Sequence, residues 1–253
     1  FVRPSAKVGN FNRFKQSKSV LPYPLRLIKI AMNRKEEIFQ FLEALSLNNS
    51  KEWMDQNRAE YQKTKQSWLN EIQRILDRLA PYDPALSHVD PKKTITRINN
   101  NRRFQPDKPI YKDFYSCSVT GGPGTPAFHI SISPSESFIA GGLYKPEKEQ
   151  LLKVRQAFDY DGEVFKNILN VPDFKAQFGG LSDTLDQKLK RVPRGFPKDH
   201  PHTDLLIYKS ITATRKLTTT EVCSGQFIDL VEQAFLALLP MNRYLDQALN
   251  FED

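Results

Sequence analysis

The sequence predicts an α+β protein: an antiparallel sheet of β-meander type, flanked by an N-terminal helix pair and by C-terminal helices. Three observations predict it. Helical apolar spacing dominates from residue 33 to 79, period-two alternation takes over between 113 and 144, and helical spacing returns after Pro146. Helices, then a run of strands, then helices argue against an alternating βαβ chain.

The first helix is expected over 33–47, where Ile38, Phe41, Leu42 and Leu45 repeat at helical spacing and Asn48-Asn49 end it. Ser50 is the expected N-cap of a second, longer helix that buries Trp53, Tyr61, Trp68, Ile72, Ile75, Leu76 and Leu79 and stops at Pro81. Three prolines make 81–91 a loop, and 93–99 leans towards strand. Tyr115, Cys117 and Val119 alternate with polar neighbours, as do Phe128, Ile130 and Ile132. GGPGTP at 121–126 joins the two as a hairpin. A third strand is expected over 137–144, with Gly141-Gly142 marking a bulge or a close backbone approach.

Pro146 suits the first turn of a helix running to about 158, followed by another over 162–170. Residues 171–200 are Pro- and Gly-rich and read as irregular. A short helix over 203–207 and a strand over 208–214 follow. The last helix is expected over 219–238, capped by Thr219 or Thr220 and broken by Pro240 before a terminal turn or short helix.

The chain has 253 residues, 37 Lys+Arg and 29 Asp+Glu, a formal charge of +8. Seven of those charges belong to residues 1–31, which hold no acid, leaving +1 for the rest. That segment has no sustained apolar period. A disordered basic arm, a start upstream of a true initiator at Met32, and an organelle transit peptide are the three readings it allows. A single domain is expected over 32–253. No window approaches 18 consecutive apolar residues, so no transmembrane helix is expected, and neither is a membrane partner. Cys117 and Cys223 fit no metal or redox spacing, and two free thiols with a cytoplasmic location follow.

The chemistry-bearing segment is 92–112, with seven basic side chains and one acid. Arg97, Arg103, Lys108 and Tyr111 are the main candidates for an anion cradle. A guanidinium fork fits a carboxylate or phosphate in two-point contact, and a lysine adds a mobile charge. Asp107 is the one acid beside them; next to Lys108 it is expected to stay ionised. The competing reading is a solvated loop with Asp107 ion-paired and Phe104 plugging the core. A second segment, 191–202, offers Arg194, Asp199, His200 and His202. No third and fourth ligand at recognisable spacing accompanies the histidines, so no metal is assigned and Asp–His hydrogen bonds locking the loop are expected. Arg155 and Lys209 complete the ligand candidates. Trp53, Asn57 and Tyr61, at i, i+4 and i+8, form a core edge or a ligand contact. No phosphate-loop, dinucleotide, nucleophile-elbow or zinc-protease motif is present, and no cofactor is assigned.

The segment Arg97–Tyr111 resembles the signature of the domain of unknown function 2461 family, widespread and largely bacterial: R-x-x-R-D-x-R-F-x-x-[DN]-K-x-x-Y. Arg97, Arg103, Phe104, Asp107, Lys108 and Tyr111 match it. FLEALSLNNSKEWMDQNRAEY (41–61), FIAGGLYKPEKEQLLKVRQAF (138–158), PRGFPKDHP (193–201) and LLIYKS (205–210) resemble further family segments. Asn100 and Asn101 depart from it, standing where the pattern has Arg and Asp. The departure removes an ion pair or an acid–base group, or it substitutes neutral hydrogen bonds. The resemblance brings no reaction with it. A small anionic ligand, a phosphorylated one included, is the expected partner, with catalysis open. A nucleic acid is the disfavoured alternative, with Phe104, Tyr111 and Tyr115 as its stacking candidates. An interaction module without a small ligand is the third reading.

Overall fold

The computed structural model describes residues 33–121, 124–183 and 188–251. The reading of 1–31 therefore lies outside the described residues.

Helix α1 (Arg34–Leu47) opens with a capping box in which Asn33 and Glu36 satisfy each other's backbone N–H groups. It buries the predicted Ile38, Phe41, Leu42 and Leu45. Ser50 accepts from the Trp53 N–H at 3.1 Å and starts α2 (Lys51–Gln56), as expected. The single long helix is corrected, because Asn57 (φ −105°, ψ 19°) separates α2 from α3 (Arg58–Leu79). The Asn57 amide donates to the Trp53 carbonyl at 2.9 Å, a side-chain bond that competes with the helical ladder. Between 81 and 94 two prolines sit at helix starts behind aspartate caps. Asp83 precedes a short 3-10 helix (Pro84–His88), and Asp90 precedes α4 (Pro91–Thr94).

Strands β1 (Tyr115–Thr120), β2 (Ala127–Ile132), β3 (Ser137–Leu143) and β4 (Ile211–Leu217) form one antiparallel sheet in chain order. This is the predicted meander, with β4 three residues later than expected. The β-leaning stretch 93–99 is an edge cover rather than a strand. Ile95 bridges Cys117, and the Thr96 N–H donates to the Ser116 carbonyl at 3.0 Å. The Gly141-Gly142 pair is a close approach on both counts. A Cβ on Gly141 would lie 2.6 Å from Leu238, and Gly142 has φ +108° with its Cβ position 2.1 Å from the Ile211 carbonyl oxygen.

Helix α5 (Lys148–Asn170) starts two residues after Pro146 and kinks at Asp161 (φ −140°, ψ 31°), which reproduces the two predicted helical segments as two arms. The stretch predicted as irregular contains α6 (Pro172–Phe178), which begins at a proline and ends at Gly179 (φ 71°). Helix α7 (Thr203–Leu206) precedes β4. The last predicted helix is two, α8 (Thr219–Cys223) and α9 (Phe227–Asn250), with Thr218 as the cap of α8. Pro240 does not break α9. Met241, Tyr244, Leu245 and Ala248 beyond it are buried, and that burial outweighs the lost backbone bond.

One face of the sheet carries Tyr115, Cys117, Val119, Phe128, Ile130, Ile132 and Ile139, all buried. Helix α9 lies on it, with Phe235 edge-on to Phe128 at 5.2 Å, and α3 and α5 pack beside α9. The register places Ser118, His129, Ala140 and Thr214 in one row on the other face. Among the described residues no helix is long and apolar enough to cross a membrane.

Candidate functional site

The basic segment forms a two-legged ribbon leading into β1. The Lys112 N–H donates to the Ile98 carbonyl at 2.7 Å and the Asn100 N–H to the Ile110 carbonyl at 3.0 Å. Tight turns close its tip, with the Gln105 N–H on the Arg102 carbonyl and the Lys108 N–H on the Gln105 carbonyl. The Arg102 guanidinium is spent on the Pro106 carbonyl. Asn100 donates its amide to the Pro109 carbonyl at 3.0 Å, and Asn101 accepts from the Arg103 N–H at 3.1 Å. The two departures from the family signature thus make neutral hydrogen bonds that hold the ribbon's shape.

The root is pinned to the body. The Asn49 side chain, in the α1–α2 connection, donates to the Tyr111 carbonyl and accepts from the Tyr111 N–H, both at 2.9 Å. Tyr111 is 6% exposed and belongs to the core. Lys112 donates its ammonium to the Arg97 carbonyl at 2.5 Å. Burial, then the neighbouring Lys108 charge, hold the Lys112 pKa below the ordinary lysine value.

Residues 101–109 are exposed without interruption. Arg97, Arg103 and Lys108 have no carboxylate partner among the described residues, and Asp107 has no cation. The ion-paired Asp107 is therefore corrected. So is the core-plugging Phe104, which is 83% exposed with the Arg103 guanidinium 5.4 Å from its ring centroid. Tyr111 and Tyr115 are both buried, so of the three stacking candidates Phe104 alone faces solvent.

The second group sits elsewhere. Arg155 on α5 donates to the carbonyls of Leu206 (2.9 Å) and Tyr208 (3.1 Å), and burial lowers its pKa. His200 Nδ1 accepts from the His202 N–H at 3.0 Å, so its proton is on Nε2 and points at Asp159 Oδ1, 2.7 Å away. The loop is locked by an Asp–His bond as expected, with Asp159 of α5 rather than Asp199 as the acid. His202 packs against Gly162, where a Cβ would come within 2.6 Å of the imidazole. Arg194 and Lys209 are exposed and have no carboxylate partner among the described residues.

Tyr115 opens β1 opposite Ile132, and Ile211 opens β4 opposite Leu143. The two candidate groups therefore join the sheet at opposite edges and opposite ends, about 14 Å apart across the strands and about 20 Å along them. No hydrogen bond, ion pair or ring contact links 97–112 to 193–209 among the described residues. Open depressions of about 520 and 540 Å³ lie beside the β2–β3 turn and beside α8, and no predicted site residue lines either.

Two residues with consequences were not singled out as site residues from the sequence. Asn49 stands at the expected end of the first helix and within the 41–61 segment, where no role is assigned to its own side chain. The Nδ1 of His129 is 2.9 Å from Ser118 Oγ. The hairpin register, in which 118 pairs with 129, was the available signal. Burial lowers the His129 pKa and so favours the neutral ring, whose Nδ1 accepts the Ser118 proton in the tautomer that carries its own proton on Nε2.

The fold is a four-stranded antiparallel meander covered on one face by helices, with a projecting basic ribbon at one edge. The model of a family described as conserved hypothetical protein (DUF2461) matches residues 37–244, and the chain belongs to that family. No curated protein and no solved structure matches it.

Proposed function

We propose that the ribbon 97–112 binds an anionic ligand through a phosphate or carboxylate group, with Arg97, Arg103 and Lys108 as the contacting cations. One observation carries this reading: these three cations are exposed and have no carboxylate partner among the described residues, on a ribbon whose root is fixed by Asn49, Tyr111 and Lys112. A structural basic loop would spend its cations on internal carboxylates, and an interaction module needs no such reserve. Tyr111 serves here as a positioning residue. Arg155 and His200 are committed to Leu206, Tyr208 and Asp159, which leaves Arg194 and Lys209 as free cations of a separate surface. Calorimetric titration with tripolyphosphate tests the reading. Arg103→Ala/Lys108→Ala should weaken binding at least tenfold with an unchanged melting midpoint. Equal affinity in the two proteins removes the ribbon from the site.

A second reading, ester hydrolysis, is favoured by the Ser118–His129 contact. Ser118 Oγ would bond to the acyl carbon while its proton passes through His129 Nδ1 to the departing alkoxide; water would then attack the acyl carbon, its proton returning through His129 to Ser118 Oγ as the carboxylic acid leaves. A fluorophosphonate probe should modify Ser118 and leave His129→Ala unlabelled. No adduct on the wild-type serine ends this reading.

A further inference from the structure

Phe104 is a large apolar side chain held in solvent by its neighbours. The turns at Arg102–Gln105 and Gln105–Lys108 and the Arg102–Pro106 contact fix the tip, so the ring is presented rather than left over from packing. Scattered exposed apolar residues are ordinary, but an aromatic ring 83% exposed inside a cluster of unpaired cations marks a contact surface. Arg103 lies against the ring at 5.4 Å.

The placement of charge narrows the ligand. Arg97 and Lys112 stand at the ribbon's root, Lys108 is two residues from the Asn100–Ile110 bond, and Arg103 is at the tip. Cations strung along a projection grip a ligand from one side rather than enclosing it as a concave pocket does. They suit a ligand that carries phosphates and an aromatic group together. We infer that Phe104, backed by Arg103, is a stacking platform for one nucleobase whose phosphates are held by Arg103, Lys108 and Arg97, so that the ligand is a single-stranded nucleic acid or its nucleotide unit. This rests on the anion reading above and names the ligand class. Buried Tyr111 and Tyr115 add no second platform, so one base is read per ribbon. An anionic bilayer is the poorer partner, because Phe104 is the one large apolar side chain exposed on the ribbon, and interfacial binding grows with buried apolar area.

The test uses the full chain, a labelled ten-nucleotide single strand, and an abasic strand of equal length. Fluorescence anisotropy should show the base-bearing strand bound about tenfold more tightly than the abasic one. Phe104→Ala should abolish that difference and leave abasic binding unchanged. Arg103→Ala/Lys108→Ala should weaken both strands and lower the salt slope by about 1.4. A mononucleotide that competes as well as the strand assigns the site to free nucleotides; failure to compete assigns it to strands. Equal binding of both strands by wild type and Phe104→Ala overturns the stacking platform. If Arg103→Ala/Lys108→Ala still responds, the anion reading survives that result. Phe104-dependent binding to phosphatidylserine vesicles without any base effect also overturns the inference, in favour of a bilayer.

Discussion

Replacing Asn49 by Ala removes both side-chain bonds that fix the ribbon's root. The two contacts, each 2.9 Å, satisfy the N–H and the carbonyl of buried Tyr111. Each such bond contributes about 0.5–1.5 kcal/mol net, and Asn49 is half-buried, so water reaches part of the gap; the expected cost is about 1–3 kcal/mol. For a domain of this size that lowers the melting midpoint by about 2–4 °C per kcal/mol. Asn49→Asp is the informative companion. Its carboxylate still accepts from the Tyr111 N–H but sets an oxygen against the Tyr111 carbonyl, so it should cost as much as Ala. Urea denaturation gives the stability change, and hydrogen exchange at the Tyr111 and Lys112 amides locates it. Tripolyphosphate affinity should fall several-fold, since the cations lose their common frame. A midpoint shift below about 1 °C with both amides still protected would refute Asn49 as the anchor.

Three further outcomes follow from single sites. Gly142→Ala should cost at least about 3 kcal/mol or prevent folding, because φ is +108° and the new Cβ would meet the Ile211 carbonyl. Gly179→Ala, with φ 71° and open space, should cost only about 1–2 kcal/mol, and thermal melts compare them. Native alkylation at pH 8 should spare Cys117, fully buried with its thiol pushed up to about 12, and reach Cys223 slowly; mass spectrometry before and after unfolding reads both. The His129 pKa is lowered by burial, so the unfolded chain takes up its proton first. Its contribution is complete above about pH 6.5 and is lost as pH falls towards the folded value, and His129→Asn should flatten that part of the stability–pH curve.

Local patterns were legible where local physics decides. Ser50 caps a helix, Gly141-Gly142 marks a close approach, and the 115–132 alternation is a hairpin. What failed was decided by tertiary burial or by a side chain competing with the backbone. Pro240 should end a helix, but the apolar face from Met241 to Ala248 has a core to enter. Asn57 divides a helix that its apolar stripe runs straight through. In the candidate site, the charge of the ribbon was readable, but the burial of Tyr111 and the exposure of Phe104 were not. Tyr111 is held by Asn49, 62 residues away, and no periodicity reports a contact of that separation; Phe104 is held out by the turns at 102–108, which leave no apolar pattern to read.

The charge distribution bears on which ligand such a ribbon holds. Residues 92–112 carry +6, whereas residues 32–253 together carry +1, so the rest of that region carries −5. The ribbon is thus a positive projection on an acid-leaning body. At physiological salt its field fades within about 8 Å, so only groups that touch it are held. A duplex laid along the protein would bring its further phosphates against the negative remainder and gain little from length. A flexible strand needs only two or three phosphates at the ribbon, with one base on Phe104. Lengthening a single strand beyond the few nucleotides that reach Arg97 should therefore leave the ribbon's share of the affinity, the difference between wild type and Arg103→Ala/Lys108→Ala, unchanged.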